Sequence, residues 1–190
     1  DVVLSYEPSP SAAVAGGTTG VLLQTAGTAT ATLHVHGRAA HAGAAADEGR
    51  NALIELASQI LNTRDTAKTV PDMQMNWTMA TAGTARNQIP ASAEAIGDVR
   101  ISDPQGPEKL LAALQAKVAK PSLVADTTTT VELEVARPMF TAGPRGTALA
   151  KLAQRVYAEL DMGGLSEQHS RDMPGGEFAF SGRNLMLIPG

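Results

Sequence analysis

The chain has no cysteine. That excludes a disulfide framework, thiolate zinc sites and thiol catalysis, and it leaves His, Asp and Glu as the only strong metal ligands. It also lacks a basic run: 15 Lys+Arg stand against 19 Asp+Glu, a net charge of -4, so there is no electrostatic footprint for nucleic acid or an anionic membrane. A small polar metabolite is the better expectation. No apolar run approaches the roughly 20 residues that span a bilayer. The opening residues Asp1 to Leu4 are neither a basic stretch nor an apolar signal core, so the chain reads as soluble. The first residue is not Met, and Leu187 to Gly190 set an apolar strand against a turn signal; both ends read as cuts. No internal repeat is present.

What remains is 190 residues, enough for one core or for one module with pieces of a second. Ala29, Ala31, Leu33 and Val35 alternate with Thr30, Thr32, His34 and His36, the period of a half-buried strand. Leu53, Leu56, Ala57, Ile60 and Leu61 recur at helical spacing, predicting a helix over about 47–63 with one apolar stripe. Met73, Met75, Trp77 and Met79 alternate with Gln74, Asn76 and Thr78 as a second strand, and residues 91–101 follow as a third. Pro104, Gly106 and Pro107 then start a helix with Leu110, Leu111, Leu114 and Val118 on one side, stopped by Pro121. A fourth strand alternates Val131, Leu133 and Val135 with Thr130, Glu132 and Glu134.

Strand-helix-strand-strand-helix-strand is the order of an α+β, ferredoxin-like βαββαβ sandwich, a four-stranded antiparallel sheet under two helices. A third helix over about 146–161, carrying Leu149, Leu152, Ala153, Val156 and Leu160, has no place in it. With Val2 to Leu4 and Leu185 to Ile188, that helix reads as part of a second domain into which the sandwich is inserted. The expected division is 1–19 and 143–190 as pieces of that domain and 20–142 as the sandwich, with hinges near 15–20 and 141–146.

Gly37-Arg-Ala-Ala-His41-Ala-Gly43 places a histidine in a loop between strand and helix, among small residues that admit a ligand or a second chain. His41 is either a catalytic candidate or a surface histidine. His34 and His36 share the polar face of a strand and lack a third metal ligand nearby, so they read as structural. Asn87 lies between the second and third strands, and Arg100 and Arg137 lie at the ends of the third and fourth. Loop ends of one sheet could gather them, since guanidinium forks bind a carboxylate bidentately and an amide fixes its orientation. Solvated charge is the plainer alternative.

Five blocks, Gly37 to Ala45, Gly49-Arg-Asn51-Ala-Leu, Asn87-Gln-Ile-Pro90, Ala95-Ile-Gly-Asp-Val-Arg100 and Arg137-Pro-Met-Phe140, resemble in order and spacing the dimerisation, or lid, domain of the zinc-dependent aminoacylase and carboxypeptidase family, close to the bacterial glutamate carboxypeptidases. The resemblance covers residues 20–143 and, less closely, 2–8. It implies a homodimer paired through 20–142, an α/β catalytic domain with two zinc ions, and hydrolysis of an amide bond to release a C-terminal glutamate or similar amino acid, from a bacterial cytoplasmic or periplasmic protein. It makes Glu7 a zinc ligand, His41 the group that reaches the partner subunit's active site and hydrogen-bonds the oxyanion, Asn87 a substrate contact, and Arg100 and Arg137 the holders of the glutamate carboxylates. The remaining zinc ligands have no counterpart in this chain, which on this reading supplies mainly the dimer module and is inactive alone. Asp172 to Gly182 resembles a shortened form of the family's Gly-rich turn without its Thr-Asp pair, and residues 10–19 are longer than the family's. Two rivals remain: a non-catalytic dimerisation or amino-acid-binding module, and a desuccinylase, deacetylase or dipeptidase of the same family.

Overall fold

The computed structural model describes residues 2–7, 19–161, 165–169 and 184–189. Its strands are β1 (Val2–Glu7), β2 (Thr19–Thr25), β3 (Gly27–His36), β4 (Ala40–His41), β5 (Met73–Ala82), β6 (Gln88–Ile89), β7 (Ser92–Ile101), β8 (Thr128–Arg137), β9 (Phe140–Thr141), β10 (Leu165–His169) and β11 (Asn184–Pro189). Its helices are α1 (Ala52–Thr63), α2 (Gly106–Val118) and α3 (Pro144–Glu159). Two compact units result, Gly27–Pro138 and the pair of segments Asp1–Ala26 and Met139–Gly190.

In Gly27–Pro138 the sheet order is β5-β7-β3-β8 with every neighbour antiparallel. With α1 following β3 and α2 following β7, this is the ferredoxin-like sandwich expected from the alternation. On β3, Ala29, Ala31, Leu33 and Val35 are buried, while Thr30 and His36 are exposed. Period two therefore sends one row into the core and the other to the open face. Leu33, Leu56, Leu110 and Leu114 are fully buried in one cluster with Ala95, Val99 and Ile101. Each such leucine stabilises the fold by about 1.5–3 kcal/mol relative to exposure.

Three sequence expectations need correction. The helix does not start near 47: residues 46–48 form a single 3-10 turn, and α1 begins after Asn51, whose side chain accepts N–H bonds from Leu53 at 3.0 Å and Ile54 at 3.3 Å. An Asn at this position satisfies donors that the first helical turn leaves unpaired. The buried face of α1 is Ala52, Glu55, Leu56, Gln59 and Thr63, while Leu53, Ile54 and Leu61 are exposed. Partners distant in sequence make the polar face buriable: Trp77 Nε1 donates to Thr63 Oγ1 at 3.0 Å, and the Val124 N–H donates to Glu55 at 2.8 Å. On β5 the alternation breaks between Trp77 and Met79, where a bulge shifts the register. An extra residue reverses the facing of those after it, so Met79 pairs with Ile96 of the open row and is exposed.

In the other unit β2 pairs parallel with β10 and β11 and antiparallel with β9, and β11 pairs antiparallel with β1. Val21, Leu23, Ala150 and Leu165 form its buried cluster, with Leu149, Ala153 and Tyr157 of α3 packed against them. Leu152, Val156 and Leu160, expected on the apolar stripe of that helix, are exposed. Asp172 to Gly182 and residues 10–18 lie outside the described residues.

Candidate functional site

His41 ends β4, which pairs with β6 through His41 opposite Gln88. The adjoining Ala42 N–H donates to the Asn87 carbonyl at 2.9 Å, and the Gly37 N–H to the Ala91 carbonyl at 2.7 Å, so the two loops at this end of the sheet are stitched together. The imidazole is exposed, and its Nδ1 accepts N–H bonds from Gly43 at 3.2 Å and Ala44 at 3.0 Å. A ring nitrogen that accepts carries no proton, so the neutral ring holds its proton on Nε2. His41 therefore presents an N–H donor away from its own loop. Asn87, also exposed, belongs to this end.

Arg100 and Arg137 belong to the other end. Both stand opposite Thr28, Arg100 on β7 and Arg137 on β8, so the two project from the same face of the sheet. Arg100 Nε donates to Asp98 Oδ2 at 2.9 Å. Gln74 pairs with Arg100 from the outer strand and extends this polar row. From the level of Thr28 to His36, where β3 gives way to the His41 loop, the strand covers roughly 27 Å at about 3.3 Å per residue. The structure thus brings together His41 with Asn87, and Arg100 with Arg137, but not the two pairs with each other. The expectation that sheet-end loops of one chain gather Asn87 with both arginines does not hold, because Asn87 precedes β7 and Arg100 lies near its end.

His34 and His36 occupy the open face as expected, with His34 Nδ1 3.2 Å from Glu94 Oε2. Among the described residues no group of three or more His, Asp or Glu side chains is placed to hold a metal ion. Glu7 is the last residue of β1, paired with Asn184; its side chain is outside the described set. A shallow groove of about 500 Å³ lies beside the His41 loop, lined by Ala42, Leu53, Thr84, Arg86, Gln88 and Pro90 among others. The sequence reading missed Arg50, which joins this loop to Asp126 at 3.0 Å; no local signal predicts a partner 76 residues away.

Residues 23–125 match the model of the peptidase dimerisation domain. The chain belongs to that family. As a peptidase dimerisation domain it is 33% identical over 159 residues to carboxypeptidase G2 of Pseudomonas sp. (strain RS-16), an alignment covering 84% of this chain and 37% of that protein. Among solved structures it is similar to aminopeptidase PepT from Bacillus cereus, with TM-score 0.61 and 17% identity over 91% of this chain and 47% of that one. An amidase of the hydantoinase/carbamoylase family from Burkholderia multivorans gives TM-score 0.58 and 21% identity, over 88% and 41%. The relatives are hydrolases, and this chain spans less than half the length of each. Among the described residues no helix is long and apolar enough to cross a membrane.

Proposed function

We propose that this dimerisation domain pairs two subunits of a zinc-dependent carboxypeptidase that releases a C-terminal glutamate or similar acidic amino acid, and that each subunit's His41 and Asn87 complete the other's substrate site. The observation that carries the reading is the separation of the two pairs: roughly 27 Å of strand at about 3.3 Å per residue is far longer than an amino acid. No single copy can lay His41 and Arg100 on one small substrate. A two-fold partner can. β5 is an edge strand running from Met73 at the arginine end to Ala82 at the His41 end. Antiparallel pairing of two such edges sets the histidine end of one copy beside the arginine end of the other. Leu53, Ile54 and Leu61 on the outer side of α1 offer apolar surface for such a pairing, and Met79 of β5 adds to it on the open face of the sheet.

In this scheme Arg100 and Arg137 hold the substrate's carboxylates through charge-assisted bonds, and Asp98 steadies the Arg100 guanidinium. The His41 Nε2–H donates to the oxygen that gains negative charge as the amide carbon becomes tetrahedral. Asn87 orients the substrate. Glu7 would be one ligand of the proposed zinc cofactor, which would supply Lewis acidity for amide hydrolysis when bound.

The test is complementation between two impaired variants, His41→Ala and Arg100→Ala, mixed under conditions where subunits exchange and assayed with zinc on an N-acyl glutamate held well below the parent's KM, where the rate follows kcat/KM and both variants are nearly silent. Random exchange should restore roughly a quarter of the original activity, because half the dimers are mixed and each of those has one intact site of two. If the mixture stays as inactive as its parts, all the groups act within one chain and the proposal fails.

A further inference from the structure

We infer that Arg50 is a positioning residue for His41, acting through the loop between Arg38 and Arg50 and anchored on Asp126; the inference rests on reading His41 as a substrate-facing donor. The loop is closed at its base by a two-residue bridge: the Arg38 N–H donates to the Arg50 carbonyl and the Arg50 N–H to the Arg38 carbonyl, each at 2.9 Å. Glycine is required at Gly37, where a Cβ would run into the Arg50 carbonyl; at Gly49 a Cβ would lie 2.6 Å from Ile89 Cδ1 of β6, which would have to shift.

The Arg50 guanidinium then holds two carbonyls of the loop's return limb and one carboxylate outside it. Its Nη1 donates to the Gly49 carbonyl at 2.8 Å and the Asp47 carbonyl at 3.2 Å, and its Nε to Asp126 Oδ2 at 3.0 Å. Asp126 is a firm anchor. Its backbone is left-handed at φ 59, a conformation Asp tolerates better than most residues. Two residues earlier, the Val124 N–H is held by the fully buried Glu55, and the Thr127 hydroxyl donates back to the Val124 carbonyl at 2.7 Å. A continuous set of bonds thus runs from the core of α1 through the α2–β8 connection to the loop that carries His41.

The Arg50–Asp126 pair has side chains 26% and 74% exposed, and an ion pair that open to water contributes little to global stability. Its effect is on geometry. The Gly43 and Ala44 N–H groups fix the imidazole only while the loop keeps its shape, and a misplacement of about 1 Å in a reacting group can lower turnover by roughly a hundredfold.

Two variants separate this role from mere folding. Arg50→Ala removes all three ties; Asp126→Asn keeps a residue that tolerates φ above zero and removes only the charge, so it serves where the first variant fails to fold. In the 190-residue chain, nitrogen-15 spectra of the His41 ring should show protonated Nε2 and bare Nδ1 in the parent. In the variants these signals should move toward an averaged tautomer, and the Gly43 and Ala44 amides should exchange with solvent about tenfold faster as the loop opens. Unchanged tautomer and exchange in both variants overturn the inference. In the assembled enzyme Arg50→Ala should lower kcat about tenfold with KM nearly constant, and adding it to His41→Ala should lower kcat no further, since residues acting as a unit are non-additive. A further loss in that double variant also overturns it. If His41→Ala alone leaves turnover intact while the spectral changes stand, the oxyanion reading fails and the positioning of His41 by Arg50 survives.

Discussion

Arg100 and Arg137 stand on strands either side of β3, each directly opposite Thr28. Strands separated by one intervening strand are about 10 Å apart, a span across which two guanidinium groups can converge on one dicarboxylate. Charge-assisted hydrogen bonds are worth about 1.5–3 kcal/mol each, so Arg100→Ala or Arg137→Ala should raise KM for acidic substrates about ten- to a hundredfold and leave kcat nearly unchanged. Equal losses on neutral substrates, measured in the same assay, would remove carboxylate recognition from these residues.

His41 offers one donor, fixed by the two N–H groups on its other nitrogen. Replacing it with Ala should lower kcat by roughly a hundred- to a thousandfold, the usual cost of one oxyanion donor. The metal content of the assembled enzyme should not change. A parallel fall in bound metal and turnover would make His41 a structural support of the metal centre instead.

The alternation on β3 was legible in the sequence because each residue's facing there depends only on period two. The α1 face was not. Glu55, Gln59 and Thr63 look solvent-facing until Val124 and Trp77, supplied by the folded chain, give Glu55 and Thr63 partners, and the buried Gln59 amide donates to Glu55 at 2.7 Å. Leu53 and Leu61, which look like core, are exposed. The reversal at Met79 was hidden for a similar reason, since no residue type marks the bulge after Trp77. At the site, the small residues around His41 point to an accessible segment, and residues 41–44 are exposed, although His41 itself closes the short strand β4. That Arg100 and Arg137 stand on either side of Thr28, and that Asn87 is far from both, follows from strand register, which pairs residues up to more than a hundred positions apart.

Ile54 and Leu61 lie on the outer side of α1, 48% and 63% exposed. Apolar side chains so placed on a helix are expected to be covered by another surface. In a dimer paired through this face, Ile54→Glu or Leu61→Glu would bury an unpaired charge, at a cost of several kcal/mol. Sedimentation velocity should show the dissociation constant rising at least about a hundredfold while circular dichroism is unchanged. A variant that stays dimeric at the parent's concentrations would place the interface elsewhere.

Glu55 is fully buried, and its two oxygens accept from Gln59 Nε2 at 2.7 Å and the Val124 N–H at 2.8 Å. Truncation to Ala leaves both donors without an acceptor, at about 1–3 kcal/mol for each buried unsatisfied group. Urea unfolding of Glu55→Ala should therefore show a loss of about 2–6 kcal/mol, with Glu55→Gln losing less because one acceptor remains. A loss under about 1 kcal/mol would mean that water replaces the carboxylate readily.

Asp103 precedes α2, where its Oδ1 accepts the Gln105 N–H at 3.0 Å and its Oδ2 the Lys109 ammonium at 3.1 Å. The Gln105 N–H first, and the Lys109 charge after it, hold the carboxyl below its ordinary range. With the folded value below the unfolded one, the ionised group contributes stability at neutral pH, and that contribution disappears as pH falls through the lowered value. Asp103→Asn keeps an acceptor for the N–H but gives up the charge, so it should melt below the parent at about pH 7 and converge with it as the pH falls below the ordinary carboxylate range. Differential scanning calorimetry across that range decides the matter: a gap in Tm that widens with acid has the opposite sign and would assign the bonds at Asp103 to the protonated form.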